Sequence, residues 1–209
     1  MAQAVAELQG AVAADLRAWA AVGALPPELP LPAERRLGLE QVPLRGLPAW
    51  LGIDRALVGW RAWQQQQAGV LVADAGTALS LTWIEQQGTF RGGRISAGVA
   101  LQLRALAQGT ARLPDVERAA ALEPLDLWPQ ATEAAMGQGC LQAVAAAIEQ
   151  AWCELAQQPQ PPAGLWLTGG DAALLHPLLA ARGVASCLAP DLALESLAAL
   201  SGLSSEPDR

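Results

Sequence analysis

The chain contains no lysine, no asparagine and no tyrosine, and it carries one histidine and one phenylalanine. Without lysine there is no GxxxxGK[ST] phosphate loop, no Schiff base and no protein-kinase lysine. A single histidine, His176 in ALLHPLLA, cannot build a histidine-rich zinc site or a histidine-based relay, and it reads as a helix-end residue. Cys140, Cys153 and Cys187 are odd in number and far apart, which fits reduced thiols serving as small core residues. No apolar run reaches the roughly 18 residues of a membrane span, because Arg, Asp, Gln and Pro interrupt each one. The opening MAQAVAELQGAVAADLRAW has early acids and no basic n-region, so no signal peptide is expected and the cytoplasm is the expected location. Thirteen basic against twenty acidic residues give a net charge of −7. No basic stretch runs against that sign, so neither a nucleic acid nor a membrane is an expected partner. Carboxylates, hydroxyls, arginines and backbone amides are left to do any chemistry.

What is present is globular in character. The 209 residues are 52% apolar, with 20 Gly and 15 Pro as punctuation. Val5, Leu8, Val12, Leu16 and Trp19 recur every three or four residues, which predicts an amphipathic helix over 2–21. Pro26, Pro27, Pro30 and Pro32 then force a connector, and 37–44 is expected to hold a short strand. A helix follows over 53–67, with Ala56, Leu57, Trp60 and Trp63 inward. Strands are expected at 70–73, 79–85 and 90–95, joined by turns at 74–78 and 86–88. Helices are expected at 98–109 and 132–157, then a strand at 165–168, a helix at 171–181, a strand at 184–188 and a helix at 192–200. Three meandering strands followed by alternating helices and strands is an α/β, ribonuclease H-like order.

Chemistry-bearing residues gather in short motifs. Asp74-Ala75-Gly76-Thr77 closes a buried strand. Gly76 lets a ligand approach the backbone, and Thr77 offers a hydroxyl beside backbone amides, as a phosphate needs. Asp74 faces the same mouth, where its charge repels phosphate unless a cation intervenes. An ordinary Asp-Gly hairpin turn explains the same residues. In Gly52-Ile53-Asp54-Arg55, Asp54 has a plain reading as a helix cap with Arg55 toward solvent, and Thr132 a plain reading as an N-cap. Thr168-Gly169-Gly170-Asp171 leaves a strand for a helix, where ligands and simple turns are both common.

Taken in order, LGIDRAL (51–57), VADAGTALSL (72–81), FRGGRISAGVALQLRALAQGTARLP (90–114), ATEAAMGQG (131–139) and LWLTGGDAALL (165–175) are far more specific. Across roughly 40–190 the chain resembles the type III pantothenate kinases, homodimers of the acetate and sugar kinase/Hsp70/actin superfamily. The resemblance implies ATP-dependent phosphorylation of pantothenate to 4'-phosphopantothenate, the first step of coenzyme A synthesis, with Mg2+ and with K+ or NH4+. It implies Asp54 as the base, and Gly52, Ile53, Asp54, Arg55 and Thr132 as substrate-binding residues. Gly76, Thr77, Gly169 and Gly170 fall on the nucleotide, and Asp74 on the monovalent cation. It also implies a division into 1–68 as the remnant of a first ribonuclease H-like domain, 69–203 as a second such domain and 204–209 as a tail.

Three departures stand against the family pattern. The family's first strand and DxGNT loop have no counterpart, since the only DxGT is at 74. No Tyr precedes Gly52, where the sequence is RGLPAW, and Ala97 replaces a usual Pro. The expectation is therefore either a kinase whose coding sequence extends upstream or a degenerate homologue that binds a ligand or partner without turnover. The chain as written is expected to turn over slowly, because one of two phosphate cradles is missing.

Overall fold

A computed structural model describes residues 16–23, 31–117 and 126–202. Its centre is one five-stranded sheet: β1 (Val70–Ala75), β2 (Ala78–Ile84), β3 (Phe90–Ala97), β4 (Gly164–Thr168) and β5 (Cys187–Leu188). The spatial order is β3-β2-β1-β4-β5. β1, β2 and β3 pair antiparallel as a meander, whereas β4 and β5 join in parallel. Among the described residues five helices flank it: α1 (Ile53–Gln66), α2 (Val99–Gly109), α3 (Thr132–Ala156), α4 (Ala172–Ala181) and α5 (Leu192–Leu200). This is the ribonuclease H-like α/β arrangement that the element order predicts.

Strand alternation divides the core into two layers. Leu71, Ala73, Ala75, Leu79, Leu81, Leu165 and Leu167 face α2, α3 and α4, where Leu141, Val144, Ile148 and Leu175 complete the larger cluster. Val70, Val72, Ile84 and Trp166 face the other way, against Val58 and Ala62 of α1 and Leu192 of α5. Gly59 lets α1 sit close to the sheet, since a Cβ there would meet Ile84 and Thr82 side chains at 3.2–3.4 Å. Ser196 on α5 donates to the Leu57 carbonyl at 2.8 Å, tying the two helices of this layer.

Several expectations change. Residues 16–21 are not helical. Trp19 pairs with Arg36 as an isolated bridge, its amide donating to the Arg35 carbonyl and its indole N–H to the Pro32 carbonyl. Extended pairing buries Trp19 to 8% exposure without a helix, so the three-to-four spacing does not decide the backbone there. Residues 2–15 of that expected helix lie outside the described residues. No strand occupies 37–44, which holds a 3-10 turn at Leu39–Gln41 and takes only the Arg45–Thr89 bridge beyond it. The 184–188 strand shrinks to Cys187–Leu188, because Val184 turns into the larger core instead. His176 lies inside α4 rather than at its end, with Nδ1 2.9 Å from Ser186 Oγ. Cys140 is buried as expected, but Cys153 and Cys187 are exposed. Among the described residues no helix is long and apolar enough to cross a membrane.

Candidate active site

The polar residues collect at the carboxyl end of β1. Antiparallel pairing sets Asp74 opposite Ser80, and parallel pairing sets it beside Thr168. Directly paired residues share a face, so all three stand on the α1/α5 side. Thr168 donates to the Pro190 carbonyl at 3.3 Å, while the buried Ser80 hydroxyl has no partner.

Asp54 enters from the first turn of α1, where Gly52 is the N-cap. Asp54 therefore lies inside the helix and does not cap it in the expected manner. Its Oδ1 accepts the Arg55 amide at 2.8 Å, and a Cβ on Gly52 would collide with that oxygen. Burial, and then the Asp54 charge, push the Asp74 carboxyl above the usual carboxylate range. Two carboxylates thus converge on one end of the sheet, one exposed and one half-buried.

Arg55 does not point to solvent. It is buried, and its Nε and Nη2 donate to Thr82 Oγ1 at 3.2 Å and the Leu81 carbonyl at 3.3 Å. Burial lowers its pKa, and Asp54 partly offsets this.

The turn after β1 is tighter than the expected 74–78, because Asp74 and Ala75 remain in the strand and Gly76–Thr77 alone form the bend. The Gly76 amide is committed to the Ala78 carbonyl at 3.0 Å, so Thr77, which is exposed, is the group at the tip open to a ligand. Gly98 braces the tip from behind: its amide donates to the Thr77 carbonyl at 3.0 Å, and a Cβ on it would strike the Gly76 carbonyl.

The Thr168–Asp171 loop closes over the same strand end. Gly169 has φ +88°, and a Cβ there would stand 2.5 Å from both the Ala75 carbonyl oxygen and Asp74 Oδ1. Only glycine fits. Asp171 is buried and its amide donates to the Ala75 carbonyl at 2.9 Å, leaving Gly170 exposed between them. Asp54, Asp74, Gly76, Thr77, Gly169 and Gly170 thus surround one strand end. Gly52 and Ile53 open instead onto an adjoining cleft of about 950 Å3, which Arg36 and Trp50 also line. Thr132 is exposed at the first residue of α3, in the layer on the opposite face of the sheet, and Ala131 is the N-cap in its place.

Sequence reasoning missed Ser80 and gave Asp171 no role beyond its place in the Thr168–Asp171 turn. Ser80 becomes legible once the turn is known to be two residues long, because the register then pairs 74 with 80. Asp171 carried a weaker signal, an acid directly after the Gly169-Gly170 pair.

Comparison with known proteins decides the family. The sequence model of the type III pantothenate kinases matches residues 40–154, more than half of the chain. The chain belongs to the type III pantothenate kinase family. The type III pantothenate kinase of Synechococcus elongatus is 40% identical over 146 residues, which is 70% of this chain and 58% of that protein. That of Thermosynechococcus vestitus is 41% identical over 166 residues, covering 79% of this chain and 64% of that protein. The chain thus spans about three-fifths of the length of these relatives. A crystal structure of a Campylobacter jejuni protein assigned to the Baf family of transcriptional activators aligns with TM-score 0.56 at 21% identity. It covers 80% of this chain and 72% of that one, a likeness of fold.

Proposed function

We propose that this site phosphorylates pantothenate with ATP, giving 4'-phosphopantothenate and ADP, the first step of coenzyme A synthesis. The convergence of Asp54 and Asp74 on one strand end carries the reading, with family membership behind it. The pantothenate hydroxyl oxygen bonds to the γ-phosphorus, the bond from that phosphorus to the β–γ bridging oxygen breaks, and the hydroxyl proton passes to Asp54. Asp54 suits the role because it is exposed at a helix start, where a carboxylate is reachable and stays fixed by the Arg55 amide. Gly52, Ile53 and the Arg55 backbone form the substrate side, while Gly76, Thr77, Gly169 and Gly170 form the nucleotide side; Thr132, in the layer on the opposite face of the sheet, does not join them within one chain. ATP comes with Mg2+. The half-buried Asp74 carboxylate and the unpartnered Ser80 hydroxyl are oxygen donors that suit a hard cation such as K+ or NH4+. Such an ion, once bound, would offset the repulsion between Asp74 and phosphate.

The 68/69 boundary belongs to this reading: 1–68 as the remnant of a first domain and 69–203 as a second, with α1 reaching across to pack on β1 and β2. A homodimer belongs to it as well, on the family's precedent. Apolar excess on α3 does not support the dimer, since Ile148 is fully buried and Trp152 and Leu155 pack on the chain's own core. A second reading is ligand binding without turnover at the same strand end.

Asp54→Asn tests the assignment, with calorimetry for binding and ADP release for turnover. The expected outcome is pantothenate and Mg-ATP affinities within about threefold of wild type and turnover lowered at least a hundredfold, the upper range of general-base effects. Turnover within tenfold of wild type would remove Asp54 from the role. Wild-type binding of both ligands with no ADP release in potassium would favour the second reading.

A further inference from the structure

Arg55 is a buried cation at this end of the sheet, and no ion-paired carboxylate accompanies it among the described residues. Its partners are all structural. Nε reaches Thr82 Oγ1, Nη2 reaches the Leu81 carbonyl, and the guanidinium carbon lies 5.7 Å from the centre of the Phe90 ring. A Cβ on Gly93 would collide with Nη2 and with the Leu81 carbonyl, so the second glycine of FRGGRIS is the gap that the guanidinium occupies. The side chain therefore runs across β2 and β3, and a planar, fork-shaped donor group with an aromatic neighbour is what that slot accepts.

Its backbone faces the other task. Arg55 directly follows Asp54 in the first turn of α1, and its amide holds Asp54 Oδ1. Anchoring the side chain to the sheet fixes the helix turn, and the amide fixes the carboxylate rotamer. Such distant supports of a reacting group matter because a displacement of about 1 Å is costly in catalysis.

We propose that Arg55 is a positioning residue: clamped by Thr82, Leu81 and the Gly93 gap, it holds the first turn of α1 so that Asp54 stands over the end of β1. The guanidinium is not a ligand of the substrate. The proposal rests on Asp54 as the reacting carboxylate, but its clamp is measurable in the ligand-free chain.

Three variants of the 209-residue chain test it: Thr82→Val, which removes the acceptor, Thr82→Ser, which restores it, and Arg55→Lys, which keeps the charge but loses the fork. Amide exchange at Ala56 and Leu57 in α1 is compared with that at Leu141–Ile148 in α3, and pantothenate affinity is measured by calorimetry. Thr82→Val and Arg55→Lys are expected to speed exchange at Ala56 and Leu57 about tenfold, the loss of one hydrogen bond to a charged group. Exchange in α3 should stay at the wild-type rate, and Thr82→Ser should return α1 to it. Unchanged exchange in α1, equal acceleration in α3, or no recovery in Thr82→Ser overturns the clamp. A tenfold loss of pantothenate affinity in Arg55→Lys with α1 exchange unaltered makes Arg55 a substrate ligand instead. Wild-type chain that binds no pantothenate contradicts the proposed function, while the exchange comparison still decides the clamp.

Discussion

The two faces of the sheet are built from the same strands and differ in kind. Toward α2, α3 and α4, the strands β1, β2 and β4 present Leu71, Ala73, Ala75, Leu79, Leu81, Leu165 and Leu167, an apolar layer that gives way on the edge strand β3, where Arg94 and Ser96 pair with Leu81 and Leu79. Toward α1 and α5 the apolar layer stops halfway. Val70, Val72, Ile84 and Trp166 pack at one end, with Thr82 beside Val72, whereas Asp74, Ser80 and Thr168 take over at the other. One residue of alternation separates the layers, so a single strand such as β1 supplies both the core and the site. Stability is concentrated on one face, and the polar groups that cost stability are concentrated on the other.

The largest break of that comparison is on the apolar face. Leu167→Ala empties a position with 0% exposure in the interior strand β4 and is expected to cost about 3 kcal/mol, within the usual range for a buried leucine. Urea unfolding checks it, and a loss under 1 kcal/mol would mean that this layer is less tightly packed than described. Gly169→Ala strikes the polar face. The positive φ and the collision with Asp74 Oδ1 and the Ala75 carbonyl are expected to cost about 1–3 kcal/mol and to weaken ATP binding at least tenfold. Stability loss with ATP affinity unchanged would detach the Thr168–Asp171 loop from the nucleotide side.

Legibility in the sequence followed the same division. The elements from 53 onward were readable because each is bounded by Gly or Pro and has a clear period, as in α3 with Met136, Cys140, Val144 and Ile148 every fourth residue. Residues 16–21 were misread because a three-to-four spacing on so short a stretch is satisfied equally by an extended segment that buries Trp19. β5 was overextended because Val184 is apolar for the α3/α4 core and not for the sheet. The candidate site residues were findable as motifs, but their grouping was not: Asp54 and Asp74 lie twenty positions apart and meet only through packing of α1 on the sheet. Arg55 read as a solvent-facing residue because nothing local reveals the gap at Gly93, which is 38 positions away.

The central claim is that Asp74 is a carboxylate held at a cost to the fold for the sake of a ligand, and Asp74→Asn tests it most directly. Burial and the Asp54 charge raise the folded-state pKa of Asp74 above its unfolded value near 3.9. Stability from this group is therefore fully present below about pH 4 and is lost as pH rises through the raised value. In potassium-free buffer at pH 7, Asp74→Asn is expected to melt higher than wild type, because it removes the charge that burial penalises. The difference should close toward pH 4, and ATP binding in potassium should fall at least tenfold. A variant that melts at or below the wild-type temperature at pH 7, with ATP affinity and its potassium response intact, would contradict the account.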